Sequence, residues 1–177
     1  MPRLFTGLEI PRGIATELSM LRGGLSGARW IDVENYHLTL RFIGDIDERT
    51  ASDVYSALER VRRPPLIVTI DGLSIFGGDK PRAIVAKARA EPPIVELQAE
   101  HERVMRRIGI PPEPRKFVPH VTLARLRRAS AMAVADYLGA RGYFPGRSFE
   151  ANRFVLFSSR ASTGGGPYVV EAAYPLG

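Results

Sequence analysis

The chain has 177 residues and a mass of 19.5 kDa, room for one compact domain or two small lobes sharing a core, and its 45% hydrophobic content can fill that core. It contains no cysteine, which excludes disulfides, thiolate metal sites and cysteine nucleophiles and fits a reducing, cytoplasmic setting. The apolar run before Glu9 is too short for a signal peptide and no 18 apolar residues run together, so no membrane association is expected, while the formal net charge of +6 favours polyanionic partners.

Residues Arg3 to Ile10 read as a strand closed by Pro11. Ile14, Leu18, Leu21 and Leu25 then recur at helical spacing until Gly23-Gly24 loosens the end. The stretch YHLTLRFIG alternates, is rich in strand formers and stops at Gly44. Asp47 and Glu48 suit a helix start, with Val54, Leu58 and Val61 on one face and Pro64-Pro65 as the break. LIVTIDGLSIF and RAIVAKA predict two strands joined through Gly77-Gly78-Asp79.

A helix is expected after Pro92-Pro93, with Ile94, Leu97, Val104, Met105 and Ile108 on one side. FVPHVTLARL predicts the next strand and Ser130 an N-cap for a short helix. SFEANRFVLFSS and PYVVEAAYPL predict a closing strand pair.

Two of the three histidines stand in the same setting, His-x-Thr with Leu following: His37 in NYHLTLRF and His120 in FVPHVTLAR, 83 positions apart. LSIF at 73–76 and FVLF at 154–157 are offset by 81. Two offsets that nearly agree predict a degenerate duplication, roughly 1–80 and 81–177. Each half would be a strand, helix, strand, helix, strand unit. No long linker separates the halves, so residues 1–177 are expected to form a single bilobed domain.

On a strand, side chains two apart project together. His37 would therefore sit beside Thr39, and His120 beside Thr122. Halves related by an approximate two-fold axis would bring both pairs to one cleft. A neutral imidazole there can take a proton from water while a charged one protonates a leaving oxygen. Threonine hydroxyls can bond the non-bridging oxygens of a phosphoryl group. In-line displacement at phosphorus places base and acid on opposite sides, and this pattern asks for no metal and no other cofactor. Against this stands the plainer possibility that each histidine is a hydrogen-bonded strand residue and each threonine a good strand former.

With these motifs, the chain resembles the 2H phosphoesterases, and among them the RNA 2′,3′-cyclic phosphodiesterases also called 2′-5′ RNA ligases. RLFTGLEIP resembles that family's first strand, ENYHLTLRFIGD and FVPHVTLAR its two signature tetrapeptides in their settings, and GGGPYVVEAAYPLG its last strand. The likeness spans nearly the whole chain. It departs where Tyr168 directly follows Pro167 without an intervening residue. The resemblance implies an α+β fold of two pseudo-symmetric lobes, each an antiparallel sheet with helices packed outside, and a cleft between them. It implies opening of RNA 2′,3′-cyclic phosphate ends to 2′-phosphates, with His37 as proton donor to the leaving 3′ oxygen and His120 as the base that activates water. Reversible 2′-5′ joining would be the same chemistry run backwards.

Other residues are candidates with two readings each. Arg41, two beyond Thr39, should share its face and meet a phosphate, or else be a solvated strand arginine. Arg125, five beyond His120, points away on an ideal strand, but the resemblance puts it near the phosphate, which a bend would allow. Phe42, Trp30, Tyr36 and Tyr168 could stack a terminal base or serve as core, with Phe42 and Tyr168 retained as candidates. His101 falls on the apolar stripe of its helix and is expected at a core edge. SSRASTGGGP could offer backbone amides to an anion or simply join two strands. RVRR, RVMRR and RLRR read as solvated faces that guide RNA only where they flank the cleft.

The expected partner is thus RNA ending in a 2′,3′-cyclic phosphate, acted on by a monomer with no obligate protein partner. Alternatives are a phosphodiesterase for a nucleotide or ADP-ribose cyclic phosphate, or a non-catalytic RNA-binding module. A histidine–carboxylate metal hydrolase lacks the usual ligand spacing.

Overall fold

The computed structural model describes residues 3–159 and 166–177. The strands are β1 (Arg3–Glu9), β2 (Ala28–Trp30), β3 (His37–Asp45), β4 (Leu66–Phe76), β5 (Ala83–Ala88), β6 (His120–Leu126), β7 (Arg147–Ala151), β8 (Arg153–Ser159) and β9 (Tyr168–Pro175). The helices are α1 (Arg12–Ser19), α2 (Glu48–Leu58), α3 (Pro92–Arg107) and α4 (Ala131–Arg141). Asp47 caps α2 by accepting from the Thr50 amide at 2.7 Å, and Ser130 caps α4 by accepting from the Ala133 amide at 3.0 Å.

Several boundaries depart from the sequence expectation. Helix α1 stops at Ser19, before Leu21 and Leu25, because positive-φ glycines at 23 and 24 follow closely. SFEANRFVLFSS is not one strand: it breaks at Asn152 into β7 and β8, which join different arms of the sheet. The strand expected from Phe117 starts only at His120.

All strand pairs are antiparallel, in the order β7-β4-β5-β6-β3-β1-β8-β9, with β2 alongside β6. The arms β3-β1-β8-β9 and β6-β5-β4-β7 meet at a single residue pair, Leu38 with Val121. These two residues are equivalents in the 83-residue repeat, and equivalents that pair with each other lie across a two-fold axis. Beyond this pair β3 and β6 splay apart, so the expected two sheets are wings of one continuous sheet. One strand of each half crosses over: β4 pairs with β5, and β8 pairs with β1.

The inner strands β3 and β6 carry the same sequence of half-buried, buried and exposed positions over their first seven residues. Leu38, Leu40, Val121 and Leu123 lie on the buried face with Ile94, Leu97 and Met105 of α3. That face holds the core, and the opposite face is left open as a cleft. Among the described residues no helix is long and apolar enough to cross a membrane.

Candidate active site

The cleft holds about 650 Å³ and is lined by His37, Thr39, His120, Thr122 and Arg125, together with Phe42, Phe76 and Tyr168. The structure therefore brings both His-x-Thr pairs to one volume. Continued by one residue either way, the Leu38–Val121 register sets His37 across from Thr122 and His120 across from Thr39.

Each ring is oriented in the same manner. His37 Nδ1 donates to the Asn35 carbonyl at 3.0 Å, and His120 Nδ1 donates to the Val118 carbonyl at 2.6 Å. In both cases the acceptor lies two residues upstream, so the bond fixes the tautomer and leaves Nε2 as the reactive nitrogen. His37 Nε2 meets the Thr39 hydroxyl at 2.8 Å, and in the neutral ring that hydroxyl is the donor.

Burial dominates the titration of both rings. It pulls His37 down to about 4, with the Asn35 bond opposing and the His120 and Arg125 charges adding to the fall. His120 is lowered for the same reason, again opposed by its backbone bond and assisted by Arg125. His37 feels the charge of His120, as a group sharing one small volume with it would.

Aromatic rings supply the dry surroundings. Phe157 of β8 lies 5.3 Å from the His37 ring, and Phe76 of β4 lies edge-on 4.6 Å from His120. These are the final residues of the FVLF and LSIF landmarks, and the exchange of β4 and β8 sends each to the histidine of the other half. Sequence reasoning found the landmarks without giving them this task. The signal was the repeat itself. Phe5 stacks on Phe157 at 5.0 Å and packs 4.9 Å from His37.

Bulges decide the fate of the two arginines. Opposite Thr6 and Gly7 of β1 stand Arg41 and Thr39, so Leu40 is an extra residue in β3. Opposite Ile84 and Val85 of β5 stand Ala124 and Thr122, so Leu123 is the extra residue in β6. The bulges sit at equivalent positions, 40 and 123. Arg41, expected to share a face with Thr39, borders the cleft, but the bulge takes it out of step with Thr39 and it is 4% exposed. There it donates to Glu102 Oε2 at 2.5 Å, to the Pro111 carbonyl at 2.5 Å and to the Phe42 carbonyl. In β6 the same bulge turns Arg125 to the cleft, where it is exposed.

Phe42 lines the cleft at 42% exposure. Tyr168 packs edge-on 4.9 Å from His37, and its amide donates to Asn35 Oδ1 at 3.4 Å. Trp30 leans on Tyr137 and Tyr36 is buried in the core, so neither presents a face to the cleft. His101 is fully buried on α3, with Nδ1 at 2.8 Å from the Thr6 hydroxyl. Of the basic clusters RVRR, RVMRR and RLRR only Arg125 lines the cleft. Residues 160–165 of the SSRASTGGGP run lie outside the described residues.

Comparison with known proteins agrees with this geometry. The family described as LigT like Phosphoesterase matches residues 8–85 and again residues 87–168. A protein named RNA 2′,3′-cyclic phosphodiesterase from Aeropyrum pernix is 35% identical over 101 residues, 56% of this chain, and the match spans 57% of that protein's length. A protein of the same name from Aquifex aeolicus is 29% identical over 154 residues, 84% of this chain and 82% of the relative. The crystal structure of TT0787 of Thermus thermophilus superposes with a TM-score of 0.79 at 25% identity, covering 98% of this chain and 97% of that one. Escherichia coli LigT, solved as a complex with 3′-AMP, shares the fold with a TM-score of 0.79 over 99% of both chains at 23% identity. With one family matched in each half, and the paired His-x-Thr strands facing a common cleft, this chain belongs to the LigT-like phosphoesterases.

Proposed function

We propose that this chain hydrolyses 2′,3′-cyclic phosphate ends of RNA to 2′-phosphates, with His37 as general acid and His120 as general base and no metal in the reaction. The observation that carries this reading is the matched anchoring of two imidazoles, each held through Nδ1 by a carbonyl two residues upstream, at one cleft. Relatives named for the same activity support the substrate. One chain supplies both histidines, so a monomer suffices, and the absence of cysteine suits the cytoplasm.

Phosphorus would sit between the two wings. Thr39 and Thr122 hydroxyls donate to its non-bridging oxygens, and Arg125 balances their charge. His120 Nε2 takes a proton from water, the water oxygen bonds to phosphorus, and the P–O3′ bond breaks as His37 Nε2 delivers its proton to O3′. Both protons then exchange with solvent. Thr39 links the two tasks. Once His37 Nε2 carries a proton it donates to Thr39 Oγ1, and the threonine hydrogen is free to turn to the phosphate. The bound anion also offsets the burial that holds His37 near 4, and so stabilises the imidazolium the acid needs.

The decisive experiment is to incubate the protein with an RNA ending in a 2′,3′-cyclic phosphate and determine which hydroxyl keeps phosphorus. Exclusive 2′-phosphate, formed in the presence of EDTA, is the expected result. A 3′-phosphate product, or complete loss of turnover with EDTA, refutes the reading. Strong salt dependence for an oligomer but not for a mononucleotide cyclic phosphate would mark RNA as the preferred substrate.

A further inference from the structure

The repeat makes the two histidines equivalent in position and in backbone anchoring, although only His37 Nε2 meets its threonine, so the cleft around them is where a distinction between acid and base can be sought. The offset of 83 carries on through both bulges: His37 matches His120, Thr39 matches Thr122, and the bulged Leu40 matches Leu123. The next pair of positions facing the cleft is Phe42 and Arg125, and there the equivalence ends. A flat apolar ring stands on one wing where a guanidinium stands on the other.

Their surroundings extend the contrast. Phe42 pairs across the sheet with Phe5, and Tyr168 stands 5.1 Å from the Phe5 ring. On the other wing Arg125 pairs with Ala83, next to Arg82. Arg82 and Arg125 both line the cleft, and neither forms a salt bridge among the described residues. On the Phe42 wing the cations are already paired: Arg3 is held by both carboxylate oxygens of Asp45 and Arg41 by Glu102. One wall can therefore stack a base and the other can hold an anion.

We propose that Phe42 and Arg125, equivalent in the repeat and opposite in chemistry, set the polarity of substrate in the cleft, with the nucleoside on the Phe42 wall and the non-bridging phosphate oxygens toward the Arg125 wall. This rests on the acid–base reading above. The leaving O3′ belongs to the ribose, so it lies on the nucleoside's side, within reach of His37. In-line attack brings water from the opposite side, where His120 stands. The identity of one side chain on each strand thus orients the substrate between two histidines alike in position and anchoring, one as donor and one as acceptor.

Titration of the full chain with two ligands tests where the nucleoside lies. Phe42→Ala should weaken adenosine 2′-phosphate by about tenfold or more, the usual scale of a lost base stack, while inorganic phosphate binds as before. Arg125→Ala should weaken both ligands. Equal losses of both ligands in Phe42→Ala, or no loss of the nucleotide, overturns the proposal.

A cyclic substrate with sulfur in place of the 3′ bridging oxygen tests the roles directly, because a thiolate leaves without a proton and needs only the base. In the native chain this substrate should restore turnover to His37→Ala and not to His120→Ala. In the exchange variant Phe42→Arg/Arg125→Phe the restored partner should become His120→Ala. Rescue that stays with His37→Ala in a folded exchange variant overturns the polarity. Absence of rescue with either histidine variant of the native chain overturns the acid–base reading instead, and the two-ligand titration still decides where the nucleoside binds. If the exchange variant does not fold, the same titration decides alone.

Discussion

Arg41 of β3 and Glu102 of α3 form an ion pair at 2.5 Å, with side chains only 4% and 16% exposed. Glu102 also accepts from the Glu113 amide at 3.2 Å, and Arg41 donates to the Pro111 carbonyl. The pair thus ties the first histidine strand to the segment that leads into the second. Replacing Arg41 with alanine leaves Glu102 and two carbonyls without their cation. The expected cost is about 3 kcal/mol or more of folding stability, measured by urea unfolding. A loss below about 1 kcal/mol, the scale of an exposed pair, would contradict the buried role.

The depressed His37 predicts a difference between two pH profiles. In the free site the ring is held near 4, chiefly by burial, so the proton the acid needs is lost as pH rises through that range. With both rings lowered, the alkaline limb of kcat/KM should lie below the ordinary histidine value of 6.5. A bound phosphodiester anion favours the charged ring, so the alkaline limb of kcat should lie higher. Coincident limbs at or above the ordinary value would show that burial does not govern this ring.

Phe157 and Phe76 keep water from the two imidazoles, and burial is the largest cause of the depressed values. Phe157→Ala should raise the His37 midpoint, and Phe76→Ala should raise that of His120. Imidazole resonances followed by NMR across pH report both. An unchanged or lower midpoint would assign the depression to another source. Phe157 is buried, so its removal should also cost about 3 kcal/mol of stability.

His101 predicts a stability difference that depends on pH. Its folded value is lowered to about 3 by burial, against an ordinary 6.5 in the unfolded chain. The unfolded chain binds the extra proton, so the stability from the neutral ring is complete above 6.5 and is lost as pH falls toward 3. The advantage of the native chain over His101→Gln should shrink as the solution is acidified through that window. A difference that stays constant in denaturant titrations across the window would contradict the buried neutral ring.

Gly7 shows how closely β1 approaches β3. A Cβ there would lie 2.7 Å from the Leu38 carbonyl oxygen and 3.2 Å from the Phe157 ring. Gly7→Ala should separate the strands beside His37, at a cost of about 1–3 kcal/mol. Thermal unfolding and turnover should fall together, and an unaffected melting temperature would show that the approach is looser than described.

The catalytic candidates were legible because histidine is scarce in this chain and the two that matter share a tripeptide. Strand alternation then placed each ring beside its threonine. The arginines were not legible in the same way. Alternation counts residues as if each had one partner, and the bulges at Leu40 and Leu123 oppose two residues to one, which reverses every face that follows. Arg125 was expected to need a bend and has one. Arg41 has the same bend and borders the cleft, but its guanidinium is taken up by Glu102 and the Pro111 carbonyl. The Phe76 and Phe157 contacts were hidden for another reason: which strand lies beside which is settled between segments far apart in the chain, and no local pattern records it.

The crossing of β4 and β8 has a consequence for synthesis. The opening strand has β3 on one flank early, but its other flank stays bare until β8, some 150 residues later, has left the ribosome. β4 likewise waits for β5 and β7. Each wing is completed by a strand from the other half, however alike the two halves read. Duplication here yielded interlocked pieces, committed to one another before any substrate arrives.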